Sequence, residues 1–268
     1  MVYGGKSGRG GAAMISMKIN HFSNTLSMNM DCRLLLPDAE STEKLKVLWL
    51  CHGGSGDENE WLYYSTIAAL PDERHIAVVI VNANDSCFVD MPYGKNYGTY
   101  IGKELPQILW QMFPNLSTRR EDNYISGLSN GGYGCFIVGL KNRERFGAIG
   151  AFSAGDKADA TPKPFAPGTM NPRVRMFGQE DIHETEYSMK YLAKKVAGEA
   201  GDKPRIYHAC GSLDPWLSLN LSVKECMEAL SCPEYDYVYH QMEGMGHEWK
   251  FWDVEIRNFL DYVGIAAE

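Results

Sequence analysis

A mostly parallel, twisted α/β sheet, with an antiparallel hairpin at its N-terminal side and helices on both faces, is the fold class this chain predicts. Three observations carry that expectation. Short runs such as Lys46 to Cys51 and His75 to Val81 are apolar on both faces and bounded by turn formers, as buried parallel strands are. Stretches with helical spacing alternate with these runs along the chain, the pattern of strands joined by crossover helices. At 268 residues the chain suffices for one sizeable core, and a single domain over 14–268 accounts for it.

The elements follow in order. Residues 1–13 are glycine-rich and aperiodic and read as a tag or leader outside the fold. Within them Gly5-Lys6-Ser7 imitates the end of a phosphate-binding loop, but neither the earlier glycine nor the preceding strand of that motif is there. Two strands, Met17 to Leu26 and Met30 to Leu36, form an edge hairpin closed by Pro37. After Lys46 to Cys51, a helix is expected from Asn59 to Leu70, ended by Pro71, and His75 to Val81 is the next core strand. From Tyr97 to Phe113 the residues Ile101, Leu105, Ile108, Leu109 and Met112 share a helical face, and Pro114 stops it. Phe146 to Ser153 is a further core strand. Residues Ala154 to Arg173 lack a clear period, so the segment around 154–200 reads as a loop or cap, with a helix from about Glu184 to Ala197. Strands at Arg205 to Gly211 and Tyr235 to Gln241 enclose a helix from Leu217 to Leu230, and a helix from His247 to Val263 closes the chain.

Charge and composition narrow the function. Lys and Arg number 26 against 34 Asp and Glu, a net charge of -8, and the basic residues are scattered, which argues against a nucleic-acid partner. No stretch approaches the roughly 20 apolar residues of a membrane span, and no secretory signal stands at the start, so a cytoplasmic location is expected. The seven cysteines form no CxxC pair and several sit in apolar runs, which fits a reducing compartment.

The motif that carries chemistry is Gly127-Leu128-Ser129-Asn130-Gly131, directly after the stretch Asn123-Tyr124-Ile125-Ser126. A serine between two glycines at a strand-to-helix turn is the form of a nucleophile elbow. The neighbouring chain passes so close there that side chains two positions either side of the serine would clash. Such a match also arises by chance, so the rest of the chain has to decide it.

A serine hydroxyl needs a base, and histidine has the suitable pKa. His247 follows Gly244-Met245-Gly246 between a strand and the last helix, where this fold delivers its histidine, and the aromatic residues of HEWKFWD can shield the site from water. The plainer reading is a surface histidine at a helix start. His21, His75, His183, His208 and His240 lie in strands or polar contexts that suit structural roles. An acid must orient the base, and Asp214 emerges at the C-terminal end of a strand within Cys210-Gly211-Ser212-Leu213-Asp214. Asp181 is its main competitor, with Asp253 and Glu248 as outsiders. The order Ser129, Asp214, His247 is the chain order of an α/β-hydrolase. Oxyanion donors are expected at the backbone N–H groups of Asn130 and of Gly54, with Gly53 next, in the loop His52-Gly53-Gly54-Ser55-Gly56.

Together with CHGGSGDENEW, YGKNYGTYIGKELPQILWQMFPN, REDNYISGLSNGGYGCF, CGSLD and GHEWKFW, these motifs make the chain, from about Met17 to its end, resemble the tributyrin esterase group. The wider set includes esterase D, S-formylglutathione hydrolases and carbohydrate esterase family 1. The resemblance implies a serine carboxylesterase for short acyl esters, with nucleophile Ser129, acid Asp214, base His247 and oxyanion amides on Gly54 and Asn130, needing no metal or organic cofactor. Relatives often carry Met or Gln in place of Asn130 and an aromatic-aliphatic pair in place of Pro215-Trp216, changes that bear on acyl preference. Small-molecule or carbohydrate esters, including acetyl or hydroxycinnamoyl groups on plant polysaccharides, are the expected substrates, and a homo-oligomer is compatible with the chain. Phe88, Tyr133, Trp216 and Trp249 are candidates to line the pocket or to belong to the core. The alternatives are an S-formylglutathione hydrolase, an acyltransferase that uses the same acyl-enzyme, or a non-catalytic carbohydrate-binding relative.

Overall fold

The computed structural model describes residues 14–38, 44–161, 166 and 168–267. The expected leader and its Gly5-Lys6-Ser7 lie outside the described residues, as do positions 162–165 and 167 of the 154–200 segment.

In chain order the strands and α-helices are β1 Met14–Ser23, β2 Met28–Pro37, β3 Lys46–Cys51, α1 Glu60–Tyr64, α2 Leu70–Arg74, β4 Ile76–Ile80, α3 Tyr97–Thr99, α4 Leu105–Met112, β5 Asn123–Leu128 and α5 Asn130–Lys141. They continue with β6 Ala148–Phe152, α6 Pro172–Phe177, α7 Met189–Gly198, β7 Arg205–Gly211, α8 Leu217–Ala229, β8 Val238–Met242 and α9 Trp249–Tyr262. The eight strands form one sheet in the order β1-β2-β4-β3-β5-β6-β7-β8. β2 pairs antiparallel with β1 and β4, and every pairing from β4 to β8 is parallel.

Burial on both faces of the central strands explains their unbroken apolar sequences. Val47, Trp49 and Cys51 of β3 pack into a core shared with α4, α5, α7 and α8, whereas Leu48 and Leu50 point into a second core with α1, α2 and α9. Trp49 is wholly buried because its Nε1–H finds Asn123 Oδ1 at 2.9 Å.

Several boundaries differ from expectation for identifiable reasons. The helix expected over 59–70 breaks after Tyr64. The Ser65 hydroxyl donates to Trp61 O at 2.5 Å, and a short 3-10 turn, Ile67–Ala69, leads into α2. Pro71 therefore opens α2 rather than ending a helix, as a residue without an N–H can in a first turn. Between α3 and α4 the chain makes a π-helical turn, Tyr100–Glu104, just ahead of Pro106, which has no N–H to offer the residue four places back. Ile101, Leu105 and Leu109 are buried as expected, but Met112 is 52 % exposed at the helix end. Helix α7 starts at Met189 rather than near 184, because Ser188 Oγ caps it by accepting from the Tyr191 N–H at 3.2 Å. A short helix, α6, stands in the stretch read as loop, with Asn171 as its cap. The last strand begins at Val238, after a 3-10 turn at Pro233–Tyr235.

Candidate active site

The turn between β5 and α5 holds Ser129 at φ 55° and ψ −117°, a strained conformation for a residue with a side chain. It is held by the Ser129 N–H, which donates to Phe152 O at 2.8 Å, and by Ser129 O, which accepts from the Tyr133 N–H at 3.0 Å. The flanking glycines are required by proximity. A Cβ on Gly127 would lie 2.7 Å from Cys51 Cβ and from the carbonyl of Gly131, and one on Gly131 would lie 2.3 Å from His52 O. Two strands and a helix start can thus converge on the serine only because these positions are bare.

The loops after β7 and β8 bring the other two residues to it. Leu213 N donates to Met245 O at 2.8 Å, so the loop bearing Asp214 is tied to the loop bearing His247. A Cβ on Gly211 would meet Met245 O at 2.2 Å, which makes Gly211 a condition of that crossing. His247 Nδ1 lies 2.8 Å from Asp214 Oδ2 and its Nε2 lies 3.0 Å from Ser129 Oγ. An ionised carboxylate can only accept, so Nδ1 carries the proton and Nε2 is left to accept from the serine hydroxyl. Burial pushes the Asp214 carboxyl up, but hydrogen bonds from His247, from the Ser153 hydroxyl and from the Trp216 N–H outweigh it and hold the group below the usual carboxylate range. Trp252 packs edge-on against the imidazole, with ring centroids 4.9 Å apart. Asp181, the rival acid, is exposed and pairs with His183 at 2.7 Å, away from Ser129.

The loop after β3 is held from two sides. His52 is buried; its Nε2 accepts from the Ala83 N–H at 3.1 Å, so its Nδ1–H donates to Gly53 O at 2.7 Å. Desolvation depresses its pKa and keeps the ring neutral. In a trans peptide the C=O and the next N–H point in opposite directions, so with Gly53 O held toward His52 the Gly54 N–H points away from that ring. Glu60 Oε2 accepts from the Gly53 N–H at 3.0 Å. The Asn130 N–H opens α5 and has no acceptor within its own helix. Gly54 and Asn130 border the same cleft as Ser129.

That cleft has a volume of about 770 Å³ and is walled by Gly53, Trp216, His247, Trp249 and, from α6, Met176 and Phe177. Trp216 is 41 % exposed there, and Trp249 stands between the Trp61 and Trp252 rings at 5.3 Å from each. The other two aromatic candidates are core. Phe88 is buried, fills the space left by Gly134, and borders a separate cavity of about 280 Å³. Tyr133 is buried, with its hydroxyl donating to Tyr187 O at 2.5 Å. Three residues beside the site escaped sequence reasoning: Ser153, Lys157 and Glu60. Ser153 and Lys157 belong to none of the motifs quoted above and are defined by partners distant in sequence, Trp252 and Asn130, whereas Glu60 lies within CHGGSGDENEW and is defined by its bond to the Gly53 N–H.

An open sheet of this order with a serine on a strained elbow defines an α/β-hydrolase, and the chain is a carboxylic ester hydrolase of the serine esterase class. The family model described as putative esterase matches residues 23–260, and the chain belongs to that family. An acetyl esterase of Caldicellulosiruptor saccharolyticus is 31 % identical over 272 residues, covering 95 % of this chain and 100 % of the relative. Among solved structures, the fluorophosphonate-binding serine hydrolase FphF of Staphylococcus aureus has a TM-score of 0.83 at 27 % identity, over 95 % of this chain and 99 % of that one. The S-formylglutathione hydrolase FrmB of the same organism has a TM-score of 0.82 at 26 % identity, over 94 % and 99 %. Among the described residues no helix is long and apolar enough to cross a membrane.

Proposed function

We propose that this esterase cleaves short-chain acyl esters in two steps through an acyl-enzyme on Ser129. The observation that carries the reading is the unbroken line from Ser129 Oγ through His247 to Asp214, at 3.0 Å and 2.8 Å. His247 takes the hydroxyl proton as Ser129 attacks the ester carbonyl, and Asp214 stabilises the imidazolium so formed. The Gly54 and Asn130 N–H groups receive the developing oxyanion, in positions fixed before substrate arrives. The imidazolium returns its proton to the leaving alcohol. His247 then activates water, which attacks the acyl group and frees Ser129.

The acetyl esterase relative supports a short acyl group, and the wall of α6 against Trp216 bounds the space for it. The 154–200 segment, which supplies α6, acts in this reading as a cap on one side of the cleft. The test is a rate panel of p-nitrophenyl acetate, butyrate and octanoate, methyl ferulate and S-formylglutathione on wild type and Ser129→Ala. Short oxygen esters turned over fastest, with no turnover by Ser129→Ala, is the expected result. Preference for S-formylglutathione would replace the ester reading with a thioester one.

A further inference from the structure

Lys157 presents a cation to the cleft that no carboxylate neutralises. It follows β6 on the loop that borders Ser129, and its Nζ donates to Asn130 Oδ1 at 2.6 Å while lying 5.6 Å from the Tyr133 ring centroid. Among the described residues it takes part in no salt bridge, although acids flank it on both sides. Asp156 is buried and turned inward, accepting from the Ala158 N–H, the Ser188 hydroxyl and the Lys190 N–H. Asp159 is taken by Lys190 and Ser222, with His183 at 3.5 Å.

A second cation stands beside it. Arg173 of α6 borders the same cleft and gives its donors to backbone carbonyls, Nη1 to Lys157 O at 2.8 Å and Ala160 O at 3.1 Å and Nε to Glu180 O at 3.1 Å. Carbonyls fix the guanidinium without cancelling its charge. Two acids also border the cleft: Glu60 is tied to the loop after β3 through the Gly53 N–H, and Asp85 is exposed and makes no ion pair with Lys157 or Arg173 among the described residues. In a chain of net charge -8, two cations that make no ion pair next to the nucleophile turn are suited to an anion that arrives with the substrate.

We infer that the cleft selects esters bearing a carboxylate, with Lys157 as the group that receives it and Arg173 as the fixed positive charge behind. This rests on the ester-hydrolysis reading above and deepens it. Lys157 keeps donors to spare after its bond to Asn130, and that bond aims the ammonium along the start of α5, beside the oxyanion amide.

The test compares matched esters that differ in one carboxylate. In one arm the charge is on the acyl group, mono-p-nitrophenyl glutarate against p-nitrophenyl valerate; in the other it is on the leaving group, 4-acetoxybenzoate against phenyl acetate. The measured quantity is the ratio of kcat/KM, charged over neutral, which cancels any general effect on turnover. In the arm that matches the natural substrate, Lys157→Met lowers the ratio about tenfold or more, and Lys157→Arg keeps most of it. Added salt lowers the wild-type ratio and leaves that of Lys157→Met nearly flat. A ratio that Lys157→Met leaves unchanged in both arms overturns the inference while neutral-ester turnover by wild type leaves the esterase reading standing. Absence of turnover on all four esters would instead remove that reading. Thermal melts of both variants separate lost recognition from lost folding.

Discussion

The Nε1–H of Trp252 donates to Ser153 Oγ at 3.0 Å, and the hydroxyl it thereby orients favours the charged form of the Asp214 carboxylate. One helix of the second core thus reaches the acid of the site through a single serine, while the same indole packs on His247. Ser153 sits at φ 50° at the end of β6, in a conformation that puts its side chain where a strand residue would not.

Ser153 is accordingly a positioning residue for Asp214. Removing its hydroxyl with Ser153→Ala should lower kcat about 10- to 100-fold with KM little changed, since the lost interaction is with a charged group. The Asp214 carboxyl then loses one of the donors that hold it down, so its pKa rises and the loss of its stabilising contribution on acidification begins at higher pH. Trp252→Phe should cause a smaller change of the same sign. A drop in expression or melting temperature with an unmoved pH profile would mark Ser153 as merely structural.

Asp214 and Asp181 make a sharp pair. Asp214→Asn should reduce kcat about 10⁴-fold by allowing the wrong histidine tautomer, and Asp181→Asn should leave it near wild type. Stability gives a second readout. The folded pKa of Asp214 lies below its unfolded value, so its ionised form stabilises the protein above about pH 4, and that contribution is lost as pH falls through the folded pKa. The stability gap between wild type and Asp214→Asn in denaturant melts should therefore change between neutral pH and pH 3, in the direction of a lost wild-type contribution.

His52 should matter to catalysis although it stands behind Gly54, the residue proposed to supply an oxyanion amide. His52→Ala removes the shorter of the two hydrogen bonds that hold the Gly53 carbonyl and so loosens the Gly54 N–H, and kcat should fall toward the loss of about 10²- to 10³-fold that follows deletion of one oxyanion donor. The buried Ala83 N–H loses its bond outright, at about 1 to 3 kcal/mol, whereas Gly53 O keeps the Gly56 N–H at 3.3 Å. Steady-state kinetics beside a urea melt separates the two effects. A stable variant with unimpaired kcat would show that the loop holds its own orientation.

Gly131→Ala tests why the elbow needs its glycines. The φ of Gly131 is ordinary, and the obstacle is His52 O, 2.3 Å from an added Cβ. The expected cost is about 3 kcal/mol, the upper part of the usual overpacking range, with activity lost in whatever still folds. A melting temperature equal to wild type would contradict the packing account.

The central strands and the elbow were legible because their determinants are local. A strand buried on both faces must be apolar throughout, and a serine at a strained turn needs bare neighbours at fixed offsets, so β3 to β7 and Gly127 to Gly131 declare themselves. Asp214 and His247 were legible by their places after strands. Ser153 was not, because it reads as the last residue of a strand and its partner Trp252 is 99 positions away. Lys157 lies in a segment without periodicity, and its meaning depends on where Asp156 and Asp159 turn. Phe88 and Tyr133 were ambiguous from sequence, since an aromatic residue near a nucleophile suits a pocket or a core. The Phe88 ring beside Gly134 and the Tyr133 hydroxyl on Tyr187 O place both in the core.

The central claim is a covalent acyl-enzyme on Ser129, and rapid quenching of wild type with p-nitrophenyl acetate, followed by intact and peptide mass spectrometry, tests it most directly. A mass increase of one acetyl group is expected, mapped to the peptide containing Ser129, formed in the burst of p-nitrophenol and absent from Ser129→Ala. Steady turnover with the acetyl group on another residue, or turnover that persists in Ser129→Ala, would contradict it.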